Sequence, residues 1–260
     1  MTTGSSARAG VLSAVDDLEA EQASLDEVLT GLADADWLRP TPATGWDVRD
    51  QVAHLADTDE VARDTLTEGP RAFATEVPKH QRGEDFTEAG CDRGRAMAPA
   101  QVLAWRRQAA GDLRAALRAA DPAVRVPWGL GMGLRAFVTA RLMEHWAHGL
   151  DVRAAVGADA RDTERLRHVA WIASNALPYA LRVAGVEPPA DHSVRFELTA
   201  PAGPDQTWTF GPADATDVVR GPAGEWCRLA VQRIRRDQAP GLVADGPLAE
   251  LALAHARAFL

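Results

Sequence analysis

Apolar side chains recur every three or four positions through the first two-thirds of the chain and switch to alternation past Pro189, so the chain must build helices first and a sheet afterwards. Val11, Leu12, Val15, Leu18, Leu25, Val28 and Leu29 mark a first helix that stops near Gly31. Asp47, with Asp50 three positions on, predicts an N-cap and its partner, opening a helix through Val48, Val52, Leu55, Ala62 and Leu66 that ends at Gly69-Pro70. Residues 71–97 are less periodic and predict only short helical pieces. A third long helix is expected from Pro99 to Asp121-Pro122, a fourth from Leu134 to Val156, and a fifth from Asp162 to Ala184 with a bend at Pro178. Beyond Val186-Glu187-Pro188-Pro189, Val194, Phe196 and Leu198 alternate with polar residues, and Trp208 and Phe210 repeat the pattern of a half-buried strand. A short Val218-Val219 strand, helical spacing at Trp226, Leu229 and Ala230, and a last helix from Pro247 to the end follow. The expectation is a four- or five-helix bundle over 1–187 followed by a small C-terminal α+β domain over 191–260.

Composition narrows the function classes. Of 260 residues, 46% are hydrophobic and 25% charged, which excludes disorder as the main state. Basic residues number 28 against 37 acidic, for a net charge of −9, and no basic cluster is interleaved with aromatics, so no nucleic-acid partner is expected. Charges break every apolar run well short of the ~20 residues of a membrane span, and Met1 to Gly10 lacks the apolar core of a signal peptide. No membrane partner and a cytoplasmic location are therefore expected. Cys91 and Cys227 are the only cysteines, far apart, which argues against a disulfide framework and against a cysteine-type zinc site. Lysine occurs once, at Lys79, amid abundant Ala and Arg, a bias typical of a GC-rich genome. Gly129, Gly131 and Gly133 superficially suggest a phosphate loop, but no strand is predicted before them.

The informative segment is Arg141-Leu-Met-Glu-His-Trp-Ala-His-Gly-Leu-Asp151. At about 100° per residue, Glu144 and His148 lie about 40° apart on an arc shared with Phe137 and Val152, facing the bundle interior. Burying a carboxylate and an imidazole is expensive unless they pair or bind a metal, and bundle metal sites use this spacing. Glu144-His145-x-x-His148 is neither H-E-x-x-H nor H-x-x-E-H, so a metalloprotease motif is absent. His54, on a flank of the second helix with Gln51, Thr58 and Val61, is the candidate third ligand. Two His and one carboxylate would leave open positions on a tetrahedral zinc or an octahedral iron or nickel ion, as in a catalytic site. The alternative is a hydrogen-bonded Glu144–His148 pair with His54 a satisfied core histidine.

Thr44-Gly-Trp-Asp-Val-Arg-Asp-Gln-Val-Ala-His-Leu55 and Met143-Glu-His-Trp-Ala-His-Gly-Leu-Asp-Val152 resemble the DinB-like superfamily, specifically its mycothiol-dependent maleylpyruvate isomerase branch. The likeness covers nearly the whole chain, since that branch also carries a small C-terminal α+β domain. It implies a divalent metal, usually zinc, held by His54, Glu144 and His148, the three residues the spacing picks out. It also implies mycothiol, a small-molecule thiol, as cofactor; a metal-held thiol is deprotonated and supplies a nucleophile without any protein cysteine. The expected function is a thiol-dependent transferase or isomerase acting on a small organic acid or conjugated carbonyl. Its partners are then that substrate and a low-molecular-weight thiol. The alternatives are a metal-dependent hydrolase or lyase/cyclase using metal-bound water or the metal as Lewis acid, and a non-catalytic metal- or ligand-binding protein.

The family's C-terminal domain contributes an arginine after a Gly-Ser/Pro-Ala helix start. In Gly221-Pro-Ala-Gly-Glu-Trp-Cys-Arg-Leu-Ala-Val-Gln-Arg-Ile234 the matching position is Arg233, expected to stabilise developing enolate or carboxylate charge. Gln232 stands where the family often has Gly, which keeps Arg228 and Arg220 as alternatives. Asp59, about 20° from the apolar stripe of its helix, is expected beside the site or facing substrate, with a solvated helix edge as the alternative. Arg141 and Asp151 flank the metal pair and are expected to bind each other or, as a catalytic contribution, a substrate carboxylate. His145 would replace Glu144 as a ligand, or pack and hydrogen-bond behind the site.

Overall fold

The computed structural model describes residues 2–129 and 131–258. It divides into two compact units, Met1–Ala160 and Arg161–Leu260, taken in turn. The first is helical: α1 (Thr2–Thr30), α2 (Val48–Thr67), α3 (Phe73–Glu76), α4 (Gly83–Arg95), α5 (Pro99–Ala119), a two-stranded hairpin of β1 (Arg125–Val126) and β2 (Met132–Gly133), and α6 (Leu134–Val156). Helix α2 packs against α4, α5 and α6, while α1 packs on α5 and α6. At one end Leu25, Leu29, Trp37, Val48, Val52, Val102 and Val152 form a continuous apolar cluster.

Local chemistry sets the ends of α2. The Asp47 side chain accepts from the Asp50 N–H at 2.9 Å and the Asp50 side chain accepts from the Asp47 N–H at 3.1 Å, the reciprocal cap the sequence predicts. Glu68 adopts the left-handed conformation at the other end. Between them, fifteen of 20 residues are buried, including several acids. Each buried acid is met by an arginine: Asp50 bidentately by Arg95, Asp57 bidentately by Arg71, Asp59 by Arg141, and Asp64 by Arg63. This pairing lets a polar helix lie in the middle of a bundle.

The sequence expects only short pieces over 71–97, yet α4 runs for 13 residues. Its inward stripe is Phe86, Gly90, Cys91 and Gly94, so half of it carries no side chain and is invisible to a hydrophobic pattern. The glycines are there for approach: a Cβ on Gly94 would lie 2.3 Å from Ala53 Cβ, and one on Gly90 would lie 3.0 Å from Asp57 Cβ. Of the three glycines that suggest a phosphate loop, Gly129 and Gly131 have positive φ and Gly133 lies in the second strand of the hairpin. A two-residue strand does precede them, contrary to expectation.

The second unit comprises α7 (Leu166–Asn175), α8 (Leu177–Ala184), β3 (Val194–Thr199), β4 (Thr207–Phe210), β5 (Asp217–Pro222), α9 (Ala223–Ala230), β6 (Val243–Asp245) and α10 (Pro247–His255). The sheet order is β4-β3-β5-β6, with β3 parallel to β5 and the other pairings antiparallel. Register places Phe196 opposite Phe210 and Leu198 opposite Trp208, so the alternation becomes one buried face covered by Trp226 of α9. The expected fifth helix is two, divided at Ala176 just before Pro178. Both pack within the sheet-bearing unit, α7 on α9 and α8 on α10, and the unit boundary falls at Ala160/Arg161 instead of at 187–191. Pro188-Pro189 is therefore a connection inside a unit. The last helix stops at His255, and residues 259–260, over which it was expected to continue, lie outside the described residues. No described helix is long and apolar enough to cross a membrane.

Gly94→Ala tests the close approach. Helix propensity alone favours Ala by about 1 kcal/mol, whereas overpacking costs about 1–3 kcal/mol. Chemical denaturation should show a net loss for Gly94→Ala and none for Gly83→Ala, where a Cβ meets nothing within 4 Å.

Candidate metal centre

Helices α2 and α6 bring His54, Glu144 and His148 together, with one ligand atom from each lying within 4.8 Å of the others. His148 Nε2 lies 3.3 Å, and His54 Nε2 3.8 Å, from Glu144 Oε2. His54 is buried, and Glu144 and His148 are partly exposed. Burial works against charge on Glu144, but the adjoining His148 and His54 imidazoles, with the Arg141 charge, hold its carboxyl well below the usual range. The imidazole centroids are 4.6 Å apart, and Trp46 lies against both rings, at 5.1 Å from His54 and nearly parallel to His148 at 6.0 Å.

The donor set suits a metal better than a hydrogen-bonded trio. On a tetrahedral centre with bonds of about 2.0–2.2 Å, neighbouring ligand atoms lie about 3.3–3.6 Å apart. The two His–Glu separations bracket that range and exceed an ordinary hydrogen bond, about 2.7–3.2 Å.

One turn along, a buried polar layer joins the same two helices. Arg141 donates from Nε and Nη2 to Asp59 Oδ1 at 3.1 and 2.8 Å, and from Nη2 to Thr58 Oγ1 at 2.9 Å. Thr58 in turn donates to the His54 carbonyl at 2.7 Å. His145 Nε2 meets Asp59 Oδ2 at 2.9 Å and the Gln22 amide at 3.0 Å, while its Nδ1 has no hydrogen-bond partner. Burial opposes ionisation of Asp59, but His145 and Arg141 hold its pKa down at about 2, and burial pushes His145 below its ordinary range.

These contacts revise several expectations. Asp59 and Arg141 are 0% and 3% exposed and bound to each other, so neither is open to a substrate or to solvent. Arg141 does not take Asp151, which instead lies 3.4 Å from the Gln51 amide nitrogen. His145 points to Asp59 and stands outside the ligand cluster. Arg233 lies beyond the end of α9, after Gln232 at positive φ, and donates to the Val231 carbonyl at 2.8 Å. Arg228 is held bidentately by Asp162, and Arg220 by Glu197 at 2.8 Å. Gln51, fully buried and bonded to His148, escaped sequence reasoning as a site residue; its place three residues before His54 was the available signal.

Comparison with known proteins adds independent findings. A family model described as the mycothiol maleylpyruvate isomerase N-terminal domain matches residues 18–153. An uncharacterized protein of Mycobacterium tuberculosis, found in two strains, is 37% identical over 222 residues, 84% of this chain and 84% of its own length. Crystal structures of the mycothiol-dependent maleylpyruvate isomerase and of a histidine-to-alanine mutant of it align with TM-scores of 0.61 and 0.60, at 18% and 16% identity. Each alignment covers 91% of this chain and 95% of that structure, and at such identity it speaks for the fold.

Asp59→Asn should strand the Arg141 charge in the bundle interior and lower unfolding free energy by about 3–5 kcal/mol. Because the folded pKa of about 2 lies below the ordinary 3.8, the pair's stabilisation is complete above about pH 4 and lost as pH falls towards 2. Denaturant titrations at pH 7 and pH 3 should therefore show the gap between wild type and Asp59→Asn narrowing in acid.

Proposed function

Since this chain belongs to the family of the mycothiol maleylpyruvate isomerase N-terminal domain, we propose that it is a metal-dependent enzyme that uses a small-molecule thiol to isomerise, or add to, a small organic acid or conjugated carbonyl. The observation that carries the reading is the convergence of two imidazoles and a carboxylate, with His54, Glu144 and His148 as the residues that would hold the ion. A divalent ion there, zinc by the donor chemistry, would supply a positive charge able to deprotonate a thiol near neutral pH.

The chain's own thiols do not compete for that role. Burial and the nearby Asp50 charge push Cys91 up out of the reactive range, and burial does the same to Cys227. A nucleophilic sulfur must therefore come from outside, which supports a mycothiol-like cofactor. Trp46 walls the two imidazole rings, and Asp59, Arg141 and Thr58 brace the helices behind them as positioning groups. Arg233 takes the role of binding substrate carboxylate or developing enolate charge; its support is its position in the family pattern.

Elemental analysis of the purified protein should find about one divalent ion per chain, lost in His54→Ala and His148→Ala while circular dichroism stays helical. Full retention in both variants overturns the site. Maleylpyruvate with mycothiol is the first substrate pair to assay, and turnover that persists without any thiol would favour a metal-water hydrolase or lyase.

Arg233→Lys keeps the charge but loses the bidentate fork, and removal of such a donor typically costs on the order of 10²–10³ in rate. That loss with metal content intact is the expected result. A silent Arg233→Lys beside a severe Arg228→Lys would move the role to Arg228.

A further inference from the structure

We propose that Gln51 is a positioning residue of the metal centre: its side-chain amide, oriented by Thr41 and Asp151, fixes the ring tautomer of His148 and aims the Nε2 lone pair at the ligand cluster. The inference rests on the metal reading above and adds a residue that touches no metal.

The direction of each hydrogen bond is forced from one end. The Thr41 hydroxyl donates to the Trp46 carbonyl at 2.9 Å, which leaves its oxygen free only to accept. Gln51 Nε2 donates to that oxygen at 2.9 Å and lies 3.4 Å from Asp151 Oδ2, a buried carboxylate that can only accept. Two acceptors on one side settle the amide orientation, with nitrogen towards Thr41 and Asp151 and oxygen towards α6. Gln51 Oε1 then meets His148 Nδ1 at 2.5 Å, so Nδ1 carries the proton and donates it. In the neutral ring that leaves Nε2 as a bare lone pair, 3.3 Å from the Glu144 carboxylate. Two acceptors facing each other at that distance repel unless a cation lies between them.

The same loop that begins the relay also restrains the ring. Trp46, whose carbonyl takes the Thr41 proton, lies over His148 with the two planes 23° apart. Pro40 and Asp47 are bridged across the loop, and Asp47 caps α2, the helix that carries Gln51 and His54. One loop thus sets the amide and covers the imidazole. Outer hydrogen bonds of this kind typically change metal affinity 10- to 100-fold.

Zinc dissociation constants of the full-length protein, measured by competition with a chromophoric chelator, and cobalt absorption spectra test the proposal. Gln51→Met, similar in size but with no acceptor for His148, should weaken zinc binding about 10- to 100-fold and alter the cobalt spectrum. The exchange Gln51→Glu with Asp151→Asn reverses donor and acceptor between those positions, keeps an oxygen facing His148 and requires only that the Thr41 hydroxyl turn from the Trp46 carbonyl to donate to the new carboxylate; it should restore affinity to within about threefold of wild type. A purely structural role for Gln51 predicts no such rescue. Thr41→Val leaves Gln51 in place and should weaken zinc binding by a smaller factor, which keeps the test open if Gln51→Met does not fold. Wild-type affinity in both Gln51→Met and Thr41→Val, alongside lost binding in His148→Ala, overturns the positioning role and leaves the metal site standing. Unchanged zinc binding in His54→Ala and His148→Ala removes the site and this inference together.

Discussion

Four carboxylates on α2 lie out of water, and the bundle is arranged so that each meets an arginine. An unpaired buried charge costs several kcal/mol, so the two of these contacts that come from other helices restrict how those helices can be placed around α2. Arg95 ties the start of α2 to α4, and Arg141 ties its middle to α6. Because Arg141 sits one turn before Glu144, and Asp59 about one turn after His54, the ion pair fixes the register in which the three candidate ligands face each other. The candidate metal centre inherits its geometry from a buried contact closed to solvent.

The centre is graded in polarity from outside to inside. Glu144 and His148 retain some exposure, His54 is buried, and behind them lies the enclosed layer of Gln22, Asp59, Arg141 and His145. Such an arrangement leaves the candidate ligands partly open on one side and backed by a hydrogen-bonded layer on the other. The bare Nδ1 of His145 is the one incomplete bond among the contacts of that layer described above.

Much of this was legible in the sequence where the signal was periodic. The long helices, the alternating strands and the Asp47–Asp50 cap follow from spacing, and the angular positions of Glu144 and His148 put both on the inward face of α6, whereas His54 is read only on a flank of α2. The rest depended on contacts between distant segments. Helix α4 was hidden because its inward face is partly glycine, chosen for closeness to Ala53 instead of apolar area. The partner of Arg141 was ambiguous because Asp151 shares its helix face whereas Asp59 reaches it from another helix. The break between units was misplaced because Pro188-Pro189 is the stronger local signal, whereas the packing of α7 and α8 decides the boundary. The scarcity of lysine, read as a trace of genome composition, has a structural counterpart: planar guanidinium groups grip the buried acids in pairs of bonds that an ammonium cannot form.

The crowding of tasks onto α2 has an evolutionary consequence. Its cap, Gln51, His54, Thr58 and Asp59 follow one another within about three turns, and beyond the cap they engage His148, Glu144 and Arg141 of α6. Loss or gain of one residue inside that stretch would turn everything beyond it by about 100° and dislocate the ligand, the brace and the buried acid at once. A single substitution there disturbs one contact, whereas a change of length disturbs them all. Relatives that keep this arrangement should therefore place their insertions and deletions in the loops, with α2 as an ungapped ruler against which the rest of the chain is aligned.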